Sequence, residues 1–512
     1  MARKGKAGPD GKSSARVAKS GPGATKTSGP TGRDPVPPAP EPLQPPFSDI
    51  PHFTAAEHAA RGKAARAETS RSSHARWEPW PGRPDPLGLL EEQAATREQD
   101  LVPIRYGRMM ESPLVFYRGA ALIMASDLAT TPRSGLRAQL CGDAHLSNFG
   151  VYEAPDRTLV FDMVDFDETL PGPWEWDVKR LAASFEIAAR ERGVDAADRR
   201  DLVLQTVRSY REAMAQFATM GHLDVWYARL DMSHLIAQLE ATDDRTVLDR
   251  VVRGLDKAAS KDSLRALSKL TVIVDGVPRF RNEPPLLVPA AALLDEEGLG
   301  RFTETMNNFL AKYRASLPDD RRRLFEGYRF LQIARKVVGV GSVGTLTWVV
   351  LMLGASTTDP LFLQLKQAQN SVLERFAGRS QFRNQGRRVV EGQRLMQAAS
   401  DVLLGWYRLL SFDGVQRDFY VRQLWDGKAA VDATTMPPAL FLPYANTCGW
   451  TLARAHARSG DRMAIAGYLG RSDVFDRAIA DFSAAYANQN ERDYAELLAA
   501  VRKGRVAAET GI

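Results

Sequence analysis

The stretch from Cys141 to Ser184, CGDAHLSNFGVYEAPDRTLVFDMVDFDETLPGPWEWDVKRLAAS, constrains this chain more than any other. In 44 residues it gathers Asp143, His145, Asn148, Asp162, Asp165, Asp167, Glu168 and Asp177 beside glycines and one strand-like run, Thr158 to Val164. Carboxylates at this density are costly to hold together unless a cation or a substrate answers them. The stretch therefore reads as a site rather than as packing.

Two spacings inside it carry chemistry. Asp143 precedes Asn148 by five positions, the D-x-x-x-x-N spacing in which a carboxylate meets an acceptor hydroxyl and an amide holds magnesium during phosphoryl transfer. Asp165 follows an apolar strand, where a carboxylate at the strand end grips a metal that bridges nucleotide phosphates. Asp177 opens an amphipathic helix with Val178, Leu181, Ala182 and Phe185 on one face, placed to cap that helix or to brace the loop before it.

These residues carry a resemblance. Gly142-Asp143-x-His145-x-x-Asn148, Val164-Asp165-Phe166 and Asp177-Val178-x-x-Leu181-Ala182 resemble the H-G-D-x-H-x-x-N, I-D-F and D-L-A series of the aminoglycoside phosphotransferase branch of the protein-kinase-like superfamily, with Cys141 where that branch usually has His. From about Arg61 to Val501 the chain also resembles a bacterial family known only as a conserved domain of unknown function, through its G-D-A-H-L-x-N-F-G and D-F-D-E-T runs. The first resemblance implies a kinase-like fold and ATP chemistry; the second implies no activity.

A second stretch, Arg335 to Leu353, supplies a weak glycine motif, Gly339-x-Gly341-x-x-Gly344, with Ser342 inside it. A dinucleotide fold needs a helix after such a motif, but Thr345 to Leu351 is β-branched and aromatic, so the pattern is strand, glycine turn, strand. A glycine-rich hairpin is the phosphate-covering loop of kinases. The apolar strand Leu361–Leu365 follows and ends in Lys366, placed to pair with the α- and β-phosphates, and Glu374, in a helix beginning near Asn370, is the candidate to orient it. A strand pair is expected at Arg388–Met396 and Asp418–Leu424, then a hinge at Trp425-Asp426-Gly427, and Tyr444–Ser459 reads as the helix that leads into a catalytic loop.

Glycine loop and lysine precede the catalytic loop in ordinary kinases, whereas here they follow it. Chains tolerate circular permutation where a surface loop can be opened. The expected fold is thus α+β, helix-rich, two-lobed and kinase-like, circularly permuted. Residues 1–53 read as a disordered basic tail, 54–330 as the catalytic-loop and helical lobe, 331–430 as a small lobe, and 431–512 as helices packing on the helical lobe. Within the helical lobe, Val203, Val207, Tyr210, Met214 and Phe217 share a helix face behind the N-cap Asp195 and a hairpin turns at Asp275-Gly276, while His222, His234 and His456 read as structural.

Composition narrows the partners. The net charge of +6 lies in residues 1–80, which hold 13 Lys and Arg against 7 Asp and Glu and leave 55 of each elsewhere, so no groove for specific nucleic-acid binding is expected. Two cysteines, a start without an apolar leader and no run long enough to span a bilayer point to a cytoplasmic protein without membrane contact.

The expected activity is ATP- and Mg-dependent phosphoryl transfer to a hydroxyl of a small molecule or a protein. Asp143 takes the proton while His145 braces the loop, Asn148 and Asp165 hold the metal, and Asp167 and Glu168 are a second metal site or a substrate-facing pair. Gly339, Gly341, Ser342, Gly344, Lys366 and Glu374 serve the nucleotide. Two alternatives stand beside this reading: a metal-dependent phosphoesterase, and a nucleotide-binding regulator without turnover.

Overall fold

Each residue from Trp174 to Ala189 of the helix Trp174–Glu191 is buried, although the helix carries Glu175, Asp177, Lys179, Arg180 and Glu186. Polar groups are held inside a helical core only where they have partners or work to do, and this helix runs behind the acid-rich loop. The helices Ala196–Phe217, Pro438–Ser459 and Val474–Arg502 pack around it and around one another. Their shared core includes Trp174, Phe185, Tyr210, Tyr444, Tyr468 and Phe482. The expected face Val203, Val207, Tyr210, Met214 and Phe217 is buried there, and Asp195 caps the helix by accepting from the Ala197 and Asp198 N–H groups.

The computed structural model describes residues 52–511 except 234–235, 238–244, 260–261, 411–413, 425–428 and 431–435. The expected tail, apart from its last two residues, lies outside these residues, as do His234 and the Trp425-Asp426-Gly427 hinge. Phe53–Ile512 forms one compact unit, mixed α and β and rich in helix. No described helix is long and apolar enough to cross a membrane.

The strands serve the site. β1 (Arg137–Leu140) runs into the acid-rich loop, β2 (Phe149–Glu153) and β3 (Leu159–Met163) form the hairpin that follows it, and β4 (Leu170–Pro173) returns to pair with β1. β5 (Leu230–Asp231) lies on the far side of β3. β6 (Thr271–Val274) and β7 (Val277–Phe280) make a hairpin on Asp275 and Gly276, both at positive φ, as the sequence led one to expect.

A six-stranded antiparallel sheet then assembles from β8 (Leu287–Pro289), β9 (Arg329–Lys336), β10 (Thr347–Leu353), β11 (Pro360–Ala368), β12 (Gly405–Leu410) and β13 (Gln416–Gln423), in the order β12-β13-β11-β10-β9-β8. β14 (Ala429–Ala430) pairs with β2. Alternation along β11 sends Leu361, Leu363 and Leu365 to one face, where Phe302, Met306, Phe309 and Tyr313 of the helix Glu296–Ser316 cover them. Phe362, Gln364 and Lys366 point to the other face. The sheet thus takes in Leu287–Pro289, and its outer cover comes from Glu296–Ser316, both from the segment assigned by sequence to the helical lobe.

One expectation fails. Residues 388–396 are not a strand: Gln385–Met396 is a helix, capped by Asn384 and burying Val389, Val390, Gln393 and Met396 at helical spacing. The adjacent β-branched pair Val389-Val390 suggested a strand, but only the 3.6-residue period places all four on the core face. The partner expected at Asp418–Leu424 is a strand, β13, which pairs with β11 and β12.

Candidate active site

The loop after β1 is fixed by its backbone. Asp177, in the first turn of the buried helix, accepts hydrogen bonds from the N–H groups of Cys141 (2.6 Å) and Gly142 (3.0 Å). It therefore braces the loop rather than capping its own helix. His456 Nε2 lies 3.3 Å from the same carboxylate, and its Nδ1 lies 2.9 Å from the Tyr210 hydroxyl, so His456 is structural. Gly142 sits at φ +82°, and a Cβ there would run into the Glu168 carbonyl oxygen, so only glycine fits. Cys141 is fully buried, and the bracing passes through its N–H.

This frame presents Asp143 and Asn148. The Asp143 carboxylate is held by the Arg180 guanidinium, with Nε 2.6 Å from Oδ1. Arg180 lies three residues beyond Asp177 on the same helix, so one buried helix positions both the loop and its acid. His145 Nε2 is 3.8 Å from Asp143 Oδ2. Burial, with Arg118 and Arg180 adding to it, pushes the His145 pKa well below the usual histidine range, so the ring is neutral. Asn148 spends its N–H donors on the carbonyls of Asp143 (3.1 Å) and Asp165 (2.9 Å). That leaves Asn148 Oδ1 buried without a hydrogen-bond partner among the described residues, and Asp165 Oδ1 is in the same condition. Two oxygen acceptors, one from an amide and one from a carboxylate, thus face the same cavity unanswered.

Lys366 reaches this site from β11, about 200 residues away in sequence. Its side chain is 3% exposed, and its ammonium pairs with Asp167 and lies 3.5 Å from Asp165 Oδ2. Burial opposes its charge, but the two carboxylates outweigh burial and raise its pKa above the usual lysine range. Burial likewise opposes ionisation of Asp167, and there Lys366 and the Tyr420 hydroxyl, 2.7 Å from Asp167 Oδ1, win and hold its pKa low. Asp165 moves the other way, pushed up by burial and by Asp167. Ser342 Oγ lies 3.3 Å from Asp167 Oδ2, so the glycine turn touches the acid cluster. Gly339 and Gly344 take positive φ, while the N–H groups of Gly341 and Ser342 have no acceptor among the described residues.

Glu374 sits elsewhere. It opens a one-turn helix, Glu374–Ala377, and its Oε1 is buried without a partner, while the contacts of Lys366 run to Asp165 and Asp167. Asp167 is likewise committed, to Lys366, Tyr420 and Ser342, which leaves Asn148 and Asp165 as the acceptors open to a metal.

The centre is a cavity of about 260 Å³ lined by Asp143, His145, Asn148, Asp165, Gly341 and Ser342, with Arg118 and Arg422 on its wall. Asp167, Glu168, Gly341 and Ser342 also line a second cavity of about 860 Å³. Farther along the face that carries Lys366, the apolar rungs Val349, Leu351 and Phe362 are covered by Ala266 and Leu270 of the helix Ser263–Leu270 and by Phe280 of β7.

Sequence reasoning missed Arg180, Arg422 and Tyr420. Arg180 had a signal, its i, i+3 spacing from Asp177; the two β13 residues had none until the strand order placed Tyr420 opposite Lys366. Among the described residues no group of three or more His, Cys, Asp and Glu side chains is placed to hold a metal ion. An amide oxygen and one carboxylate are nonetheless a donor set that suits magnesium, which binds through one or two carboxylates and fills its remaining positions with water and phosphate oxygens. Comparison with known proteins finds no curated protein and no solved structure that matches. A family model does match, over residues 97–500, and the chain belongs to that family, described as "Uncharacterized protein conserved in bacteria (DUF2252)".

Proposed function

We propose that this chain is a magnesium-dependent ATP phosphotransferase acting on an alcohol hydroxyl. The observation that carries the reading is the pair of buried, unpartnered oxygens, Asn148 Oδ1 and Asp165 Oδ1, in one cavity with Asp143 and the open N–H groups of the glycine turn. Magnesium held by Asn148 and Asp165 would neutralise phosphate charge when bound. The Gly341 and Ser342 N–H groups donate to the phosphates, and Lys366 supplies a positive charge beneath them. The acceptor oxygen attacks the γ-phosphorus, its proton passes to the Asp143 carboxylate, and the bond from the γ-phosphorus to the bridging oxygen of ADP breaks. Arg180 fixes the direction of the carboxylate.

The fold is read here as a permuted kinase-like one. In support, the run β9-β10-β11-β13-β12 has the glycine turn between its first two strands, the lysine on the third and the helix Gln385–Met396 after it. The end of the helix Pro438–Ser459 lies against β1, with the Gln139 N–H donating to Ser459 Oγ at 3.2 Å. That is where a helix leading into the catalytic loop belongs, although it arrives from the far end of the chain.

A second reading draws on the ion pair between Arg180 and Asp143: a carboxylate so engaged suits a nucleotide-binding regulator that does not turn over. Calorimetry and turnover separate the two. On the phosphotransferase reading ATP binds only with magnesium, Asn148→Ala and Asp165→Ala each weaken binding about tenfold or more, and Asp143→Ala abolishes ADP release while binding persists. Magnesium-dependent binding with no ADP released by the wild-type chain, with or without alcohols, would favour the regulator.

A further inference from the structure

The larger cavity, about 860 Å³, falls in the size range of small-molecule sites, and its wall is mostly polar, with Leu122, Ala368, Val372 and Val415 its apolar side chains. Six carboxamides line it: Gln93, Gln367, Gln369, Asn370, Gln385 and Gln416. Four are tied at one end only. Gln93 and Gln385 accept from arginines through Oε1, Gln367 accepts from the Leu346 N–H, and Gln369 donates to Thr96 through Nε2. The other end of each amide has no partner among the described residues, and the side chains of Asn370 and Gln416 have none at either end. Two buried atoms from residues of this wall, Arg97 Nε and Glu374 Oε1, have no hydrogen-bond partner among the described residues.

Five of the charged side chains on the wall, by contrast, are paired with one another or with Lys366, while Arg97, Glu168 and Glu374 make no ion pair among the described residues. Arg375 pairs with Glu92, and Arg408 pairs with Asp418 with Nε 2.6 Å from Oδ1. Asp167 is taken by Lys366. A polycation or polyanion entering here would have to break these pairs or shed its water without replacement. Amide donors and acceptors, four of them anchored at one end, instead match hydroxyl groups, which both donate and accept.

We infer that this cavity binds a small uncharged polyhydroxylated molecule of the sugar or polyol class, and, resting on the phosphotransferase reading, that this molecule is the acceptor. The two cavities share Asp167, Glu168, Gly341 and Ser342, so a hydroxyl projecting past Glu168 from the larger one enters the space in front of Asp143.

The test is saturation-transfer NMR and calorimetry on the full chain without nucleotide, with glucose, myo-inositol and trehalose as probes and glucosamine and glucuronate as charged counterparts. At least one neutral probe should bind more tightly than the charged ones. Asn370→Ala combined with Gln416→Ala, which removes no hydrogen bond among the described residues, should weaken it about tenfold, the loss that two neutral hydrogen bonds carry, while magnesium–ATP binding is unchanged. Failure of all three neutral probes while magnesium–ATP binds would overturn the cavity assignment and leave phosphoryl transfer standing. Preference for a charged counterpart, or loss of ATP binding instead of probe binding in the double variant, would overturn it too. Neutral binding without any magnesium–ATP binding would keep the cavity and sink the phosphotransferase.

Discussion

At the residue scale, the acid-rich stretch is neutralised partly from within and partly by side chains from distant parts of the chain. Arg180 answers Asp143, Lys366 answers Asp167 and Asp165, and the Arg388 guanidinium lies against the Asp167 and Thr169 carbonyls. Removing one member of such a pair strands the other. Arg180→Ala should therefore cost about 3 kcal/mol, the low end for a buried pair because Asp143 remains 23% exposed. The double variant Asp143→Ala/Arg180→Ala should lose clearly less than the sum of the singles, as read from urea unfolding; strict additivity would contradict the pairing. A second residue sets the acid limit of the fold. His74 is fully buried, and burial, with Lys179 adding to it, pushes its pKa from 6.5 down to about 3. Between those values the unfolded chain binds a proton that the folded one refuses, so stability falls as pH falls, by up to about 1.4 kcal/mol per unit. From pH 6.5 to 5 the wild type should lose about 2 kcal/mol through this group. His74→Gln should lose measurably less over that interval; an equal loss would remove His74 from the account.

At the element scale, what the sequence made legible was what local pattern determines. The strand before Asp165, the Lys366 strand, the turn at Asp275-Gly276 and the face behind Asp195 all rest on short-range periodicity or turn chemistry, and all four appear. Gln385–Met396 is a helix where a strand is expected, since its period shows only over the whole segment, and Glu374 stands away from Lys366, since a distance of eight residues says nothing about where a following helix points. The helix Ser263–Leu270 acts as a cover that the sequence does not announce, since its apolar face gives no address. Its packing on Val349, Leu351 and Phe362 has a functional consequence. Among the described residues no apolar slot remains on that part of the sheet for a purine to stack on, and base stacking carries about 1–3 kcal/mol where it occurs. ATP and GTP should therefore bind within a few-fold of each other in magnesium. A preference of a hundredfold or more for ATP would mean that the helix does not cover the base site.

At the scale of the whole molecule, the order of the pieces in sequence conceals their order in space. Cys141–Ser184 and Arg335–Lys366 each looked like half of a site, and the sequence held their reversed order without the contacts that join them. Those contacts are three side-chain meetings, Lys366 with Asp167, Lys366 with Asp165 and Ser342 with Asp167, and Tyr420 of β13 adds a further partner for Asp167. The central claim is that the two stretches form one magnesium–nucleotide site. Its most direct test is the magnesium-dependent thermal stabilisation by ATP of the wild type, Asp165→Ala, Lys366→Ala and the double variant. At about a hundred times the dissociation constant the wild type should gain roughly 2.7 kcal/mol. The account predicts that each single variant loses most of that gain and that the double variant loses little more than either. A gain that survives Lys366→Ala intact, or that appears without magnesium, would contradict it.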